Sequence, residues 1–126
     1  VPNLNDPLLS VWSPESYREF FYHSAHLHYF TEDSLMKVAI EAGFKEENVE
    51  ISYTQDYNLL NHLHWVMNDS PQDDCHTGLS EVKLEGKNNS ISEWLTEELS
   101  SLNDRYIKKL IENKSTSNMM MKIKNV

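Results

Sequence analysis

A capped helix followed directly by an alternating strand limits the folds open to this chain. Thr31 is a favoured helix N-cap and Gly43 a favoured helix-ending residue, with apolar residues between them at three- and four-residue spacing. The pattern predicts a helix over residues 31–43. Residues 48–57 come next and alternate apolar and polar side chains, which predicts a strand with one buried face. A helix and a strand in direct succession indicate an α/β fold.

A second helix and a second strand are predicted toward the end of the chain. Ser90 and Glu93 fit a capping box, and the residues after them keep helical apolar spacing. The apolar set is Ile91, Trp94, Leu95, Leu99, Leu102, Tyr106, Ile107 and Leu110. Residues 119–124 then carry apolar side chains at alternate positions. We expect a long amphipathic helix and a final strand.

The remaining segments have weaker patterns. The opening residues 1–7 are rich in turn formers and predict a loop, whereas the Ser13-Pro14 pair offers an N-cap and a first-turn proline for a short aromatic helix to Tyr22. Residues 58–67 are apolar with interspersed histidines, and their period does not decide between helix and extended chain. Residues 68–89 are polar and acidic, which predicts a mobile loop.

Composition and charge exclude several classes of function. The chain has 126 residues, enough for one domain, and its formal net charge of -9 argues against binding to the phosphate backbone of nucleic acids. It has no apolar run near the roughly 20 residues that span a bilayer and no signal-peptide pattern. Cys75 is the only cysteine, which excludes an internal disulfide and a multi-cysteine zinc site. We expect a cytoplasmic protein without nucleic-acid or membrane partners.

Four of the six histidines form two His-x-His pairs, His26/His28 and His62/His64. Both rings of such a pair lie on one face of an extended strand, so two pairs that meet in space could bind zinc or another transition metal. The alternative is that the histidines are polar members of a partly buried aromatic surface. The lack of a companion cysteine or a His-Glu-x-x-His pattern favours this alternative. A histidine could also act as a general base near neutral pH.

The order of segments resembles the C-terminal half of a class I S-adenosylmethionine-dependent methyltransferase. Residues 25–44, AHLHYFTEDSLMKVAIEAGF, are similar to the family's His-Leu-x-Tyr-Phe-Thr segment, helix and Ala-Gly-Phe exit. Residues 57–65, YNLLNHLHW, resemble a segment of one bacterial subgroup, and the initial Val-Pro-Asn resembles the end of the fifth strand. The resemblance assigns residues 48–57 to the sixth strand and residues 119–124 to the seventh. Residues 1–126 are then a single domain or a fragment of a Rossmann-like sheet with flanking helices and an antiparallel edge pair.

The resemblance also implies where the chemistry lies. In the family this half shapes the acceptor pocket, so His26 is expected as the general base, and Tyr29, Asn61, His62 and Trp65 as substrate-binding residues. The half that binds S-adenosylmethionine has no counterpart here, so the chain alone is expected to bind no cofactor and to lack catalysis. Its acceptor would be a small or glycan-like molecule. The expected partner is the N-terminal half or a second copy at an exposed sheet edge, and the alternative is a non-catalytic binding or assembly module.

Overall fold

The computed structural model describes residues 1–124 as a mixed α/β chain with six α-helices and one two-stranded sheet. The helices are α1 Pro7–Ser10, α2 Tyr17–Phe21, α3 Glu32–Glu41, α4 Leu59–Asn68, α5 Cys75–Leu79 and α6 Asn89–Glu112. The strands are β1 Val49–Thr54 and β2 Asn118–Ile123, and a 3-10 turn, Glu46–Asn48, leads into β1. The predicted α/β class with an antiparallel strand pair is thereby confirmed. Among the described residues, no helix is both long and apolar enough to cross a membrane.

The two strands pair antiparallel along their whole length, from Val49 opposite Ile123 to Thr54 opposite Asn118. The first residues of the chain lie on the other side of β2, where the main chains of Val1 and Met119 exchange hydrogen bonds of 2.8 and 2.9 Å. Apolar side chains alternate as predicted on β2, and Met119 is its most buried residue at 1% exposure. Strand β2 therefore contacts both the start and the middle of the chain.

Helix α3 confirms the clearest prediction. The Thr31 hydroxyl accepts a hydrogen bond from the Ser34 main-chain N–H, and the Ser34 hydroxyl accepts one from the Thr31 N–H, so the cap is reciprocal. Gly43 follows the helix with φ of 94°, a left-handed conformation that favours glycine. Leu35 and Ala39 are the buried residues of the helix, which packs against β1.

Three predicted boundaries differ from the structure. The loop expected over residues 1–7 ends at Asp6, because Pro7 opens α1 and the Asp6 carboxylate caps that helix by accepting the Leu8 N–H at 2.8 Å. Ser13 does not open the next helix: its hydroxyl donates to the Leu9 carbonyl at 2.7 Å, and α2 begins at Tyr17. Helix α6 starts two residues earlier than predicted because Asn88, not Ser90, is its N-cap. Competing cap residues close together cannot be ranked from sequence alone.

Two further segments are now assigned. The undecided residues 58–67 form helix α4, and the 68–89 segment contains the short helix α5. The expected apolar stripe of α6 is buried at Leu110, whereas Ile91 and Trp94 near its start are 60% and 59% exposed. The main core cluster lies at α1, α2 and α4 and consists of Leu8, Tyr17, Phe21 and Trp65. This cluster positions the aromatic side chains of the candidate site.

Candidate ligand-binding cleft

Two adjoining hollows share one wall made by Tyr17, Phe20 and Tyr57. The inner hollow, of about 150 Å³, is bounded further by Asp6, Phe21, His26 and Tyr29 among others. The outer hollow, of about 340 Å³, is bounded further by Asn61, Trp65, Pro71, Gln72, Asp73 and Cys75. The shared residues place the hollows side by side, next to α2, α4 and the segment that leads into α5, and the two hollows together are called the cleft.

Trp65 ties the cleft to the core. Its ring meets Tyr17 edge-on at a centroid distance of 4.9 Å and Phe20 at 5.0 Å, and only 2% of the residue is exposed. Such aromatic contacts fix ring orientation and bury a large apolar area. Helices α2 and α4 are therefore held together by the residues that form the cleft wall.

Tyr29 is held in one orientation at the inner hollow. Its hydroxyl donates to the Phe21 carbonyl at 3.0 Å and accepts the His23 main-chain N–H at 3.1 Å, and its ring lies 5.1 Å from the Phe21 ring. His26 lies beside it, with its ring centroid 6.0 Å from that of Tyr29. His26 is exposed and borders the inner hollow, so its imidazole is accessible both to a bound ligand and to water.

Asn61 forms part of the outer hollow from helix α4. Its side-chain amide donates to the Gln72 side-chain oxygen at 2.9 Å, which fastens the segment before α5 to α4. A Cβ atom added to Gly78 of α5 would lie 2.9 Å from both atoms of this hydrogen bond. The close approach of α5 therefore requires glycine at position 78.

Replacing Gly78 with Ala is expected to destabilise the fold by about 1–3 kcal/mol, because the new methyl group must push Asn61 and Gln72 apart. Urea unfolding measures the effect. Gly86→Ala is the matched control, since the Cβ there would meet its nearest atom, in Ser92, at 3.4 Å. Increased stability of Gly78→Ala would contradict the described packing, because alanine is favoured over glycine in a helix wherever its methyl group meets no obstacle.

His62 does not border either hollow. It is 2% exposed, with Nδ1 2.8 Å from the Tyr106 hydroxyl and Nε2 3.2 Å from the Gln55 side-chain nitrogen. The Gln55 side-chain oxygen accepts the Ser117 main-chain N–H, which fixes the orientation of the Gln55 amide. The Gln55 side-chain nitrogen therefore donates to His62 Nε2. Because a neutral imidazole carries one proton, that proton is assigned to His62 Nδ1. Burial lowers the pKa of His62 to about 4. His62 therefore links α4 to α6 as a neutral imidazole.

Asp6 is a residue of the cleft that the sequence did not single out. It is 2% exposed and borders the inner hollow while capping α1. Burial is the main cause that raises the pKa of its carboxyl to about 6, and hydrogen bonds from the Leu8 N–H and the Tyr17 side chain oppose the rise. An Asp-Pro pair is typical of a helix start, so the sequence could indicate that Asp6 caps a helix. Nothing in the neighbouring sequence indicates that Asp6 also borders a hollow.

The two His-x-His pairs do not form a metal site in the structure. His62 and His64 lie on helix α4, two positions apart, so their side chains leave the helix in different directions. Within residues 1–124, the one group of three side chains with metal-ligand spacing is Asp74, Cys75 and His76, all exposed. It includes no member of either pair. The geometry that the zinc hypothesis required is therefore absent from α4.

The cleft brings together four of the five residues expected from the sequence: His26 and Tyr29 at the inner hollow, Asn61 and Trp65 at the outer one. Tyr17, Phe20, Tyr57 and Asp6 complete it. No model of a protein family, no curated protein and no solved structure matches this chain.

Proposed function

We propose that this chain is the acceptor-binding, C-terminal part of an S-adenosylmethionine-dependent methyltransferase with a Rossmann-like sheet. The observation that carries the proposal is the cleft, since His26, Tyr29, Asn61 and Trp65, which the family resemblance assigns to the acceptor pocket, border two hollows with a common wall. The aromatic wall can pack against a ligand ring, and the Asn61 amide can hydrogen-bond to it. The acceptor is then a small or glycan-like molecule.

The sheet supports the same proposal. The segments that resemble the fifth, sixth and seventh strands of the family are residues 1–3, β1 and β2, and β2 lies between the other two. Both neighbours of β2 run antiparallel to it, so residues 1–3 and β1 run in the same direction. The order of the three segments, with β2 in the middle and antiparallel to both neighbours, is the order that the resemblance implies for the fifth, seventh and sixth strands.

The residues of this chain do not fit the cofactor itself. Gly43 ends α3, Gly78 lies within α5 and Gly86 precedes α6, so none of the three glycines forms the turn after a strand that nucleotide-type cofactors require. S-adenosylmethionine would bind to the complementary N-terminal half. Within this chain the assigned role is acceptor binding, with the exposed His26 imidazole available to take the proton that an acceptor hydroxyl or amine loses.

The proposal is tested by binding and by transfer. The indole N–H signal of Trp65, assigned with Trp65→Phe, is expected to shift when methyl glucoside or a similar neutral cyclic polyol is added, whereas calorimetric titration with S-adenosylmethionine is expected to give no binding heat. In a polypeptide in which a cofactor-binding half precedes Val1, His26→Ala should lower methyl transfer about 100-fold. His28→Ala is the matched control, because His28 does not border the cleft. Cofactor binding by this chain alone, or equal loss in both variants, would contradict the proposal.

A second proposal, a non-catalytic assembly module, is favoured by one observation. The first half of α6 exposes apolar side chains, with Ile91 60%, Trp94 59% and Leu95 36% exposed, and exposed apolar surface of this kind is typical of interaction sites. Light scattering after size-exclusion chromatography distinguishes the two proposals. A concentration-dependent dimer that Trp94→Ser abolishes would support assembly, whereas a monomer that still shifts the Trp65 signal with ligand would oppose it.

A further inference from the structure

The Asp6 carboxylate is buried without a cationic partner. Of the ion pairs formed within residues 1–124, none includes Asp6, and 2% of the residue is exposed. The Leu8 N–H occupies one carboxylate oxygen at 2.8 Å. A buried carboxylate in a protein is normally compensated by hydrogen bonds and by a positive charge, and here the positive charge is missing.

The walls around this carboxylate are aromatic. Tyr17, Phe20, Phe21, Tyr29 and Tyr57 all border the inner hollow. Their rings pack on one another, with centroids 5.9 Å apart for Tyr17 and Phe20 and 5.1 Å apart for Phe21 and Tyr29. Each ring face carries partial negative charge that attracts cations. An aromatic enclosure with one carboxylate is thus complementary to a positive group that also has an apolar surface.

Size and charge narrow the ligand further. No lysine or arginine borders the inner hollow within the described chain, although the imidazoles of His23 and His26 do, and the formal net charge of the sequence is -9, so an anionic ligand would find no permanent counter-charge. The volume of about 150 Å³ lies below the roughly 300 Å³ at which pockets hold whole drug-sized molecules. The inner hollow therefore suits one small group of a ligand, whose remainder can occupy the outer hollow.

We propose that the inner hollow binds an organic ammonium group, with Asp6 as its counter-charge and the aromatic side chains as its walls. The inference rests on the proposed acceptor pocket and names the group that this pocket takes at the inner hollow: an ammonium group of the acceptor, in preference to an anionic group. Tyr17 borders both hollows, so its ring is a wall shared by the ammonium group and the rest of the ligand.

Two molecules of nearly identical shape test the proposal. Choline carries a quaternary ammonium group, and 3,3-dimethyl-1-butanol replaces its nitrogen with carbon and has no charge. The main-chain amide of Leu8, which donates to Asp6, is the reporter in two-dimensional NMR titrations. Choline is expected to shift this signal saturably and to bind at least about tenfold more tightly than the neutral isostere.

Substitutions distinguish the contribution of the Asp6 carboxylate to choline binding from that of the aromatic rings. Asp6→Asn should weaken choline binding about tenfold or more and leave the isostere unchanged, whereas Asp73→Asn removes the same charge from the outer hollow and should have little effect. If Asp6→Asn fails to fold, Phe20→Leu gives the independent measurement, because the 46% exposed Phe20 ring can be removed with little loss of core. It should also weaken choline selectively.

Four results would overturn the inference. Equal affinities for choline and the isostere would show an apolar hollow without charge recognition. Binding of choline that Asp6→Asn and Phe20→Leu leave unchanged would place the cation elsewhere. A Trp65 signal that responds to methyl glucoside while choline shifts nothing would reject the ammonium site and leave the acceptor pocket standing, whereas no response to any of these ligands would reject both.

Discussion

Replacing Asn58 with Asp is expected to lower the free energy of unfolding by about 3–5 kcal/mol. Asn58 is 4% exposed and caps α4, because its side-chain oxygen accepts the Asn61 N–H at 3.0 Å. Its side-chain nitrogen donates to the carbonyls of Thr77 and Ser80 at 2.7 and 2.9 Å. A carboxylate preserves the cap but leaves both carbonyls without a donor and places a buried negative charge against them.

The control is Asn88→Asp, which makes the same change at the exposed N-cap of α6. The Asn88 oxygen accepts the Ile91 N–H at 3.2 Å, and a negative charge at a helix N-terminus is favourable. Urea unfolding of both variants should show a large loss for Asn58→Asp and no loss for Asn88→Asp. Equal small effects would show that α5 is not fastened to α4 through Asn58, and the outer hollow would lose its described wall.

Helix α3 and both strands could be predicted because their signals are local. The Thr31 cap, the Gly43 end and the alternation along β1 each involve neighbours within a few residues. Helix α4 could not be assigned because its buried face includes the polar residues Asn61 and His62. Both side chains are buried because residues far away in sequence hydrogen-bond to them. A search for apolar residues at helical spacing counts polar residues as exposed, so it misses this buried face.

The candidate site also contains residues that the sequence could indicate and a residue that only tertiary contacts reveal. Tyr29, Asn61 and Trp65 were expected to bind substrate because they stand in segments with a family resemblance; they border the two hollows, and their role in binding stays a prediction. Asp6 was missed because an Asp-Pro pair indicates only a helix start, whereas its position beside Tyr17 depends on how α1 packs against α2. A local pattern identifies the cap, but only tertiary structure shows that the same carboxylate faces a hollow.

Two buried groups are expected to give the stability of this protein opposite dependences on pH. The pKa of His62 is about 4 in the folded chain, below the ordinary value of about 6.5 in the unfolded chain. The unfolded chain therefore takes up a proton first, and stability falls by about 3 kcal/mol as the pH drops from 6.5 to 4. The pKa of Asp6 is raised from 3.8 to about 6, so its contribution is present below pH 3.8 and about 3 kcal/mol is lost as the pH rises through 6.

Asp6→Asn separates these contributions, because the amide oxygen can still accept the Leu8 N–H while the titration is removed. The variant should match the wild type near pH 4 and become more stable than it by about 3 kcal/mol at pH 7, as measured by urea unfolding at half-unit steps. Its own stability should then fall toward acid pH, since the His62 contribution is no longer offset. Ring nitrogen-15 shifts of His62 supply the second measurement and should remain those of the neutral Nδ1–H form down to pH 5. Parallel stability curves for variant and wild type would show that the Asp6 carboxyl is not desolvated, and protonation of His62 near pH 6.5 would show that its links to Tyr106 and Gln55 do not form.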